Sequence, residues 1–226
     1  MHQSQTTLSS LPALPTRASV ATHHDGLLAT AGWPQTEPTP PDSSLWQWIQ
    51  ANHRFNSQLW AEEDLARRTT VEAREIAANK RAIDGFNQAR NDATERIDEI
   101  LLLALGLVDP ETVHTPAPRS TVPAGARLNS ETAGSIIDRM SIMALKIHAM
   151  QAQTQRQDVA ADHIASAQER LARLQQQRAD LGDCLEALIA QAQAGQAYFK
   201  VYRQFKMYND ARFNPELVKE AKAAGA

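Results

Sequence analysis

The stretch IAANKRAIDGFNQARNDATERIDEILLLALGL, residues 76–107, decides the architecture. Its apolar residues Ile76, Ile83, Phe86, Ile97, Leu101 and Leu105 recur mostly at three, four or seven positions. At about 100° per residue that spacing gathers them on one face of a helix, and it excludes the strict alternation of a strand. A helix over 71–107 follows. Upstream, PPDSSLWQWIQ (residues 40–50) offers Asp42, Ser43 or Ser44 as a cap for the exposed backbone N–H groups ahead of an apolar run. That predicts a helix over 44–70.

Downstream, Gly106 and Asp109-Pro110 stop the long helix, and Pro110, Pro116, Pro118, Pro123 and Gly125 leave 108–128 without any period. A loop of this length is a candidate lid. Asn129 or Ser130 is placed to cap a third helix reaching about 153, with Glu131 in its first turn where the helix dipole favours a carboxylate. Ile164, Leu171, Leu174, Leu181, Leu185 and Leu188 form the seam of a fourth, which can continue through Phe199 and Tyr202 to about 208. Pro215 ends any helix before it. No convincing strand is found.

The expected fold is all-α, an antiparallel bundle of about four long helices over 43–217. Six prolines, Pro12, Pro15, Pro34, Pro38, Pro40 and Pro41, with few charges around them, make 1–42 a disordered tail. Residues 218–226 read as a short C-terminal tail.

Charge and composition exclude several classes of function. With 23 Lys plus Arg against 26 Asp plus Glu there is no broad attraction to nucleic acid, and no apolar run is long enough to span a membrane. One cysteine, Cys184, and a start without a basic, apolar leader point to a cytoplasmic address. Cys184 falls between Leu181 and Leu185 on the apolar seam, where a structural thiol is expected.

Two polar stripes face the expected core. On the first helix His53, Asn56, Trp60, Glu63 and Arg67 share the face of Leu45 and Ile49; on the second, Lys80, Asp84, Asn87, Asn91 and Asp98 lie beside the apolar face, with Arg90 inside it. Gln88, Asp92, Glu99 and Arg81 project to solvent. The third helix is apolar on most sides yet carries Glu131, Asp138, Arg139, Ser141, Lys146 and His148. A buried charge left alone costs several kcal/mol, so these groups either neutralise one another or hold a ligand.

The ligand reading assigns Glu63 and Asp138 as candidate catalytic groups and Glu63, Glu131 and Asp138 as candidate ligands of a divalent cation such as magnesium. Arg67, Lys80 and Arg139 would take phosphate, and Asp84, Asn87, Arg90 and Asn91 the rest of a phosphorylated small molecule. His53 and His148 read as core-edge histidines and Trp60 as packing. The segment YFKVYRQFKMYNDARFNP (198–215) concentrates aromatic and basic residues, and there Arg203, Lys206 and Asn209 can form a ligand edge. The alternative is a helix end that buries its rings and keeps its cations in water.

Four blocks carry a resemblance: HRFNSQLWAEEDLAR (53–67), KRAIDGFNQARNDATERID (80–98), NSETAGSIIDRMSIMALKIHAM (129–150) and YRQFKMYND (202–210). In order and composition they resemble the bacterial domain-of-unknown-function family 4254, over about Leu45 to Leu217. The resemblance implies a helical cytosolic protein often encoded near glycosyltransferases of cell-envelope polysaccharide synthesis, and it assigns no catalytic residue. Glu95-x-x-Asp98 also matches one half of the paired acidic motif of all-α nucleotide pyrophosphohydrolases. The other half is missing, because Glu62-Glu63-Asp64 has no second acid three or four residues on.

Two functions therefore stand side by side. One is binding or processing of a phosphorylated sugar or nucleotide sugar; the other is a non-catalytic helical adaptor or accessory subunit of a glycosyltransferase. A homodimer through helix faces is compatible with either.

Overall fold

The computed structural model describes residues 13–34, 38–204 and 210–224. Among them are six helices: α1 (Arg17–Leu28), α2 (Leu45–Leu65), α3 (Ala73–Ala104), α4 (Ala133–Thr154), α5 (Ala161–Gln193) and α6 (Pro215–Ala224). Two short strands, β1 (Arg127–Leu128) and β2 (Ala197–Tyr198), pair in parallel. The all-α bundle read from the sequence holds, with several ends moved.

Capping explains most of the boundaries. Ser44 wins over Asp42 and Ser43 because Gln47, three residues on, returns its side-chain oxygen to the Ser44 N–H at 2.7 Å while the Ser44 hydroxyl accepts from Gln47 N. Thr132, and not Asn129 or Ser130, caps α4 through Ser135 N at 3.1 Å. Asn129 is engaged elsewhere: its N–H donates to Tyr198 O beside the strand pair, and its amide donates to Glu131 O. Gly195, at φ +69°, stops α5 far short of residue 208, since an L side chain there would be strained.

α2 packs along α3 and α4 along α5 as two helical hairpins, and α4 also lies against both α2 and α3. The core is a sandwich of Leu45 and Ile49 from α2, Ile97 and Leu101 from α3, Ile136, Ile137 and Met140 from α4, and Leu185 from α5. Burying such side chains gains about 1.5–3 kcal/mol each, which is what orders helices rich in polar residues.

Both expected tails are corrected in part. Residues 1–12 lie outside the described residues, but 17–28 form a helix. A capping box between Thr16 and Ser19 starts α1, and Val20 and His24 are buried against α4 and α5. The Arg17 stem occupies the space above Gly182, and its guanidinium donates to Asp183 at 2.7 Å. At the other end, Pro215 begins a helix: proline suits the first helical position, and the Asn214 side chain accepts from Glu216 N at 3.0 Å.

The 108–128 loop is tied down. Val108 pairs with Ser120, Asp109 N donates to Arg119 O at 2.9 Å, and Val113 enters the core. No described helix is long and apolar enough to cross a membrane.

Candidate functional site

Three helices each contribute polar groups at helical spacing to one cluster, half-buried at Arg90, Thr94 and Asp138 and buried elsewhere. α2 supplies Asn52, His53 and Asn56, α4 supplies Asp138 and Ser141, and α3 supplies Arg90, Thr94 and Asp98. Asp138 Oδ1 accepts from Asn52 and Asn56 amides, both at 2.8 Å. Asn52 also donates to Thr94 Oγ1 at 3.1 Å, and Asn56 to Ser141 Oγ at 3.0 Å. A carboxylate held this way is fixed in orientation by two neutral donors and keeps capacity for another partner.

Arg90 lies beside it. Its Nε is 3.9 Å from Asp138 Oδ1, an ion pair without a hydrogen bond, and this buried N–H has no hydrogen-bond partner. Two cavities meet at this side chain. One, about 290 Å3, is walled by Leu59, Trp60, Glu63, Arg67 and Asn87. The other, about 270 Å3, is walled by Asn91, Thr94, Ser130, Asp138, Arg139 and Gln204.

Asp98 lines the second cavity. Burial raises its carboxyl to about 7, against the hydrogen bonds from Thr132 and Gly134 that favour the anion; Glu95 and Glu99 add to the rise. Gly134 N donates to Asp98 Oδ1 at 2.7 Å, so the carboxylate sits over the start of α4, where the helix dipole favours it. The wall opposite is the chain after β2: Asn91 donates to Gln204 Oε1 at 3.0 Å and Gln204 N to Glu95 Oε1 at 3.0 Å.

Arg203 is the bolt of that wall. It pairs with Glu95 at 2.8 Å and Glu99 at 2.6 Å, and it donates to Val113 O at 2.7 Å in the 108–128 loop. Glu99, expected at the solvent face, is 2 % exposed, enclosed by Arg203, Arg96 and His114. Arg203→Ala is expected to free the loop: Glu99 keeps Arg96 and His114, so helix content stays while limited proteolysis within 108–128 accelerates. Unchanged cleavage there would show that the loop holds without it.

The expected site residues divide among several places. Glu63, Arg67, Asn87 and Arg90 share the first cavity, and Arg90, Asn91, Asp138 and Arg139 the second. Glu63 pairs with Arg67 at 3.1 Å and Glu131 with Arg139. Lys80 and Asp84 form an exposed pair one turn apart and line neither cavity. Lys206 and Asn209 lie outside the described residues.

The expected metal triad is corrected. Among the described residues no three His, Cys, Asp or Glu side chains come together to hold an ion, because Glu63 and Glu131 are each turned to an arginine and Asp138 to two amides. Half of the pyrophosphohydrolase analogy dissolves similarly: Glu95 faces Arg203, and Asp98 faces α4. Cys184 is exposed, Trp60 is 37 % exposed beside the first cavity, and His148 is exposed. His53 is fully buried, its Nδ1 2.7 Å from Ser141 Oγ.

Asn52, Thr94 and Ser135 escaped the sequence reading, and Asp98 was read in the polar stripe and the acidic motif without being assigned to the site. Their signal was present: Asn52 and Asn56 are two amides one turn apart on the face of Leu45 and Ile49, where buried polar atoms need partners.

A family model described as a protein of unknown function, DUF4254, matches residues 46–201, well over half of the chain. The chain belongs to the DUF4254 family. No curated protein and no solved structure matches it. The DUF4254 match takes in α2 to α5 and β2, with most of both cavity walls; α1 precedes it, and Arg203 and Gln204 follow it.

Proposed function

We propose that this protein binds a phosphorylated small molecule, with a sugar phosphate or nucleotide sugar as the class, in the paired cavities that meet at Arg90. The observation that carries this is the buried Arg90 Nε–H without an acceptor, set between Arg67 in one cavity and Arg139 in the other. An anion bridging the cavities would meet the Arg90 guanidinium between those of Arg67 and Arg139, and a turn of that group toward it would give the unpaired N–H an acceptor, whose lack costs about 1–3 kcal/mol. Amides, hydroxyls and carboxylates of the second cavity suit sugar hydroxyls. In the first, Trp60 and Leu59 suit a flat or apolar group. Magnesium enters only with the ligand's phosphates.

Should turnover follow binding, Asp98 and Asp138 are the groups placed to move a proton: Asp98 titrates near neutrality, and Asp138 is oriented by its amides. Placement in bacterial cell-envelope polysaccharide synthesis belongs to this proposal and comes from the sequence resemblance.

Thermal unfolding with glucose 1-phosphate, uridine diphosphate glucose, uridine diphosphate and pyrophosphate, each with and without magnesium, tests it. A ligand at about one hundred times its dissociation constant adds about 2.7 kcal/mol and raises the midpoint by roughly 5–10 °C. Arg90→Ala is expected to abolish that rise, and Lys219→Ala on α6 to leave it. If none of the four moves the midpoint, the reading fails and the adaptor alternative takes its place. One observation favours that alternative: a largely apolar groove of about 400 Å3 where Trp60 meets Met150 of α4 and Leu174 of α5.

A further inference from the structure

α1 is joined to the second cavity by a line of contacting polar groups, buried from His24 to Asn56 and half-buried at Asp138. His24 on α1 is fully buried, and its ring stacks on that of His53 at 4.5 Å between centroids. His53 Nδ1 meets Ser141 Oγ at 2.7 Å, the Asn56 amide donates to the same hydroxyl at 3.0 Å, and that amide also donates to Asp138 Oδ1 at 2.8 Å. Asp138 lines the cavity wall.

The line is continuous in contact from His53 to Asp138. An amide N–H only donates, so Ser141 accepts from Asn56, and the same hydroxyl meets His53 Nδ1 in the sense that ring's tautomer allows. The hydroxyl that supports the ring under α1 is therefore placed by the Asn56 amide, and the amide points where Asp138 holds it. Without that acceptor the amide can turn to Asn52 Oδ1, 3.3 Å away, and the Ser141 hydroxyl loses its fixed place under the ring.

α1 is an element able to respond. Only Val20 and His24 of its twelve residues are buried, and its ends are held by partly exposed pairs, Arg17 to Asp183 and Asp25 to Arg178. Docking of such a helix rests on its central contact, here the ring stack, and lies at the low end of local stability.

We propose that the line His24–His53–Ser141–Asn56–Asp138 couples docking of α1 to the state of the cavity beside Asp138, making α1 a regulatory element of that site and the two histidines its positioning residues. The proposal takes from the ligand reading only what loads the cavity. By reciprocity, whatever engages Asp138 shifts the docking equilibrium of α1, and a partner that captures α1 shifts affinity at the cavity by the same factor.

Amide hydrogen exchange of the full chain tests the coupling without any ligand. Asp138→Ala is expected to speed exchange of the 17–28 amides at least five-fold relative to those of α3. Asp138→Asn, which keeps an acceptor oxygen, should restore the original rate. In a Ser141→Ala background, where the line is cut, Asp138→Ala should add less than a two-fold change. Unaltered α1 amides in Asp138→Ala, an equal rise in α3, or an undiminished effect in the Ser141→Ala background would each overturn the proposal. Pyrophosphate added to the wild-type chain is a separate arm: if it leaves the midpoint unmoved, that counts against the ligand reading, while the exchange ratios still decide the coupling.

Discussion

Between pH 6.5 and 5 the chain is expected to lose stability at about 1.4 kcal/mol per pH unit, a loss of roughly 2 kcal/mol. His24 and His53 carry most of it, and His23 adds to it. Burial holds His24 well below the usual imidazole range, reinforced by His53, His23 and Arg178; burial likewise lowers His53 to about 3, with His23 adding. Each imidazole is neutral when folded and takes a proton when unfolded below 6.5. The stability it contributes is present above 6.5 and is lost as pH falls towards its folded value, at about 1.4 kcal/mol per unit for each ring.

Asp98 runs the other way. Its carboxyl, raised to about 7 by burial, binds a proton in the folded chain at a pH where the unfolded chain does not. The contribution is complete below the unfolded value of 3.8 and disappears as pH rises through 7, so acidification gains back what one histidine loses. His23, half-buried beside the two rings, is also lowered by burial and adds to the loss in the same sense, while Trp33 and Ser141 carry no charge. Denaturant titrations at half-unit steps check the slope. Asp98→Asn, which keeps an acceptor for Gly134 N, should make it about twice as steep. A stability that does not change between pH 6.5 and 5 would refute the account.

Gly134→Ala is expected to cost about 3 kcal/mol and to lower the thermal midpoint by roughly 6–12 °C. A Cβ at this position would stand 2.7 Å from Thr94 O and 2.8 Å from Asp98 Oδ1. Neither can give way easily, because the carbonyl belongs to the α3 backbone and the carboxylate is itself held at Gly134 N at 2.7 Å. α3 and α4 must separate, and the hydrogen bond that anchors Asp98 goes with them. The close approach of the two helices is therefore bound to this glycine. Calorimetry checks it, and a midpoint within 2 °C of the wild type would show that the helices adjust at no such cost.

How much was readable beforehand depended on whether one helix face carried the information. The apolar period of Ile83, Ile97 and Leu101 is local, and it located α3 within a few residues at each end. Arg90 and Asp138 were legible as charges on faces too apolar to leave them alone. Glu99 was misread because its projection is outward from α2 and α4, and only the 108–128 loop and Arg203, distant in sequence, cover that side. α1 was hidden because its burial rests on two residues, Val20 and His24, too few to show a period. Cys184 went wrong for a geometric reason: Leu181 and Leu185 face the core, but the residue just before Leu185 is turned about 100° away from it. Asn52, one turn before Asn56, and Thr94, two turns after Asn87, lie on the same projected faces as those residues and were passed over.

The second cavity also sets an order of events during synthesis. Each helical hairpin is contiguous in sequence and can begin to pack as it leaves the ribosome, α2 with α3 and then α4 with α5. The wall made by Arg203 and Gln204 closes on Glu95 and Glu99, over one hundred residues back. A nascent chain can therefore hold a nearly complete bundle and still have an unfinished cavity until residues 203 and 204 emerge. Formation of the bundle and completion of the cavity are thus separated in time.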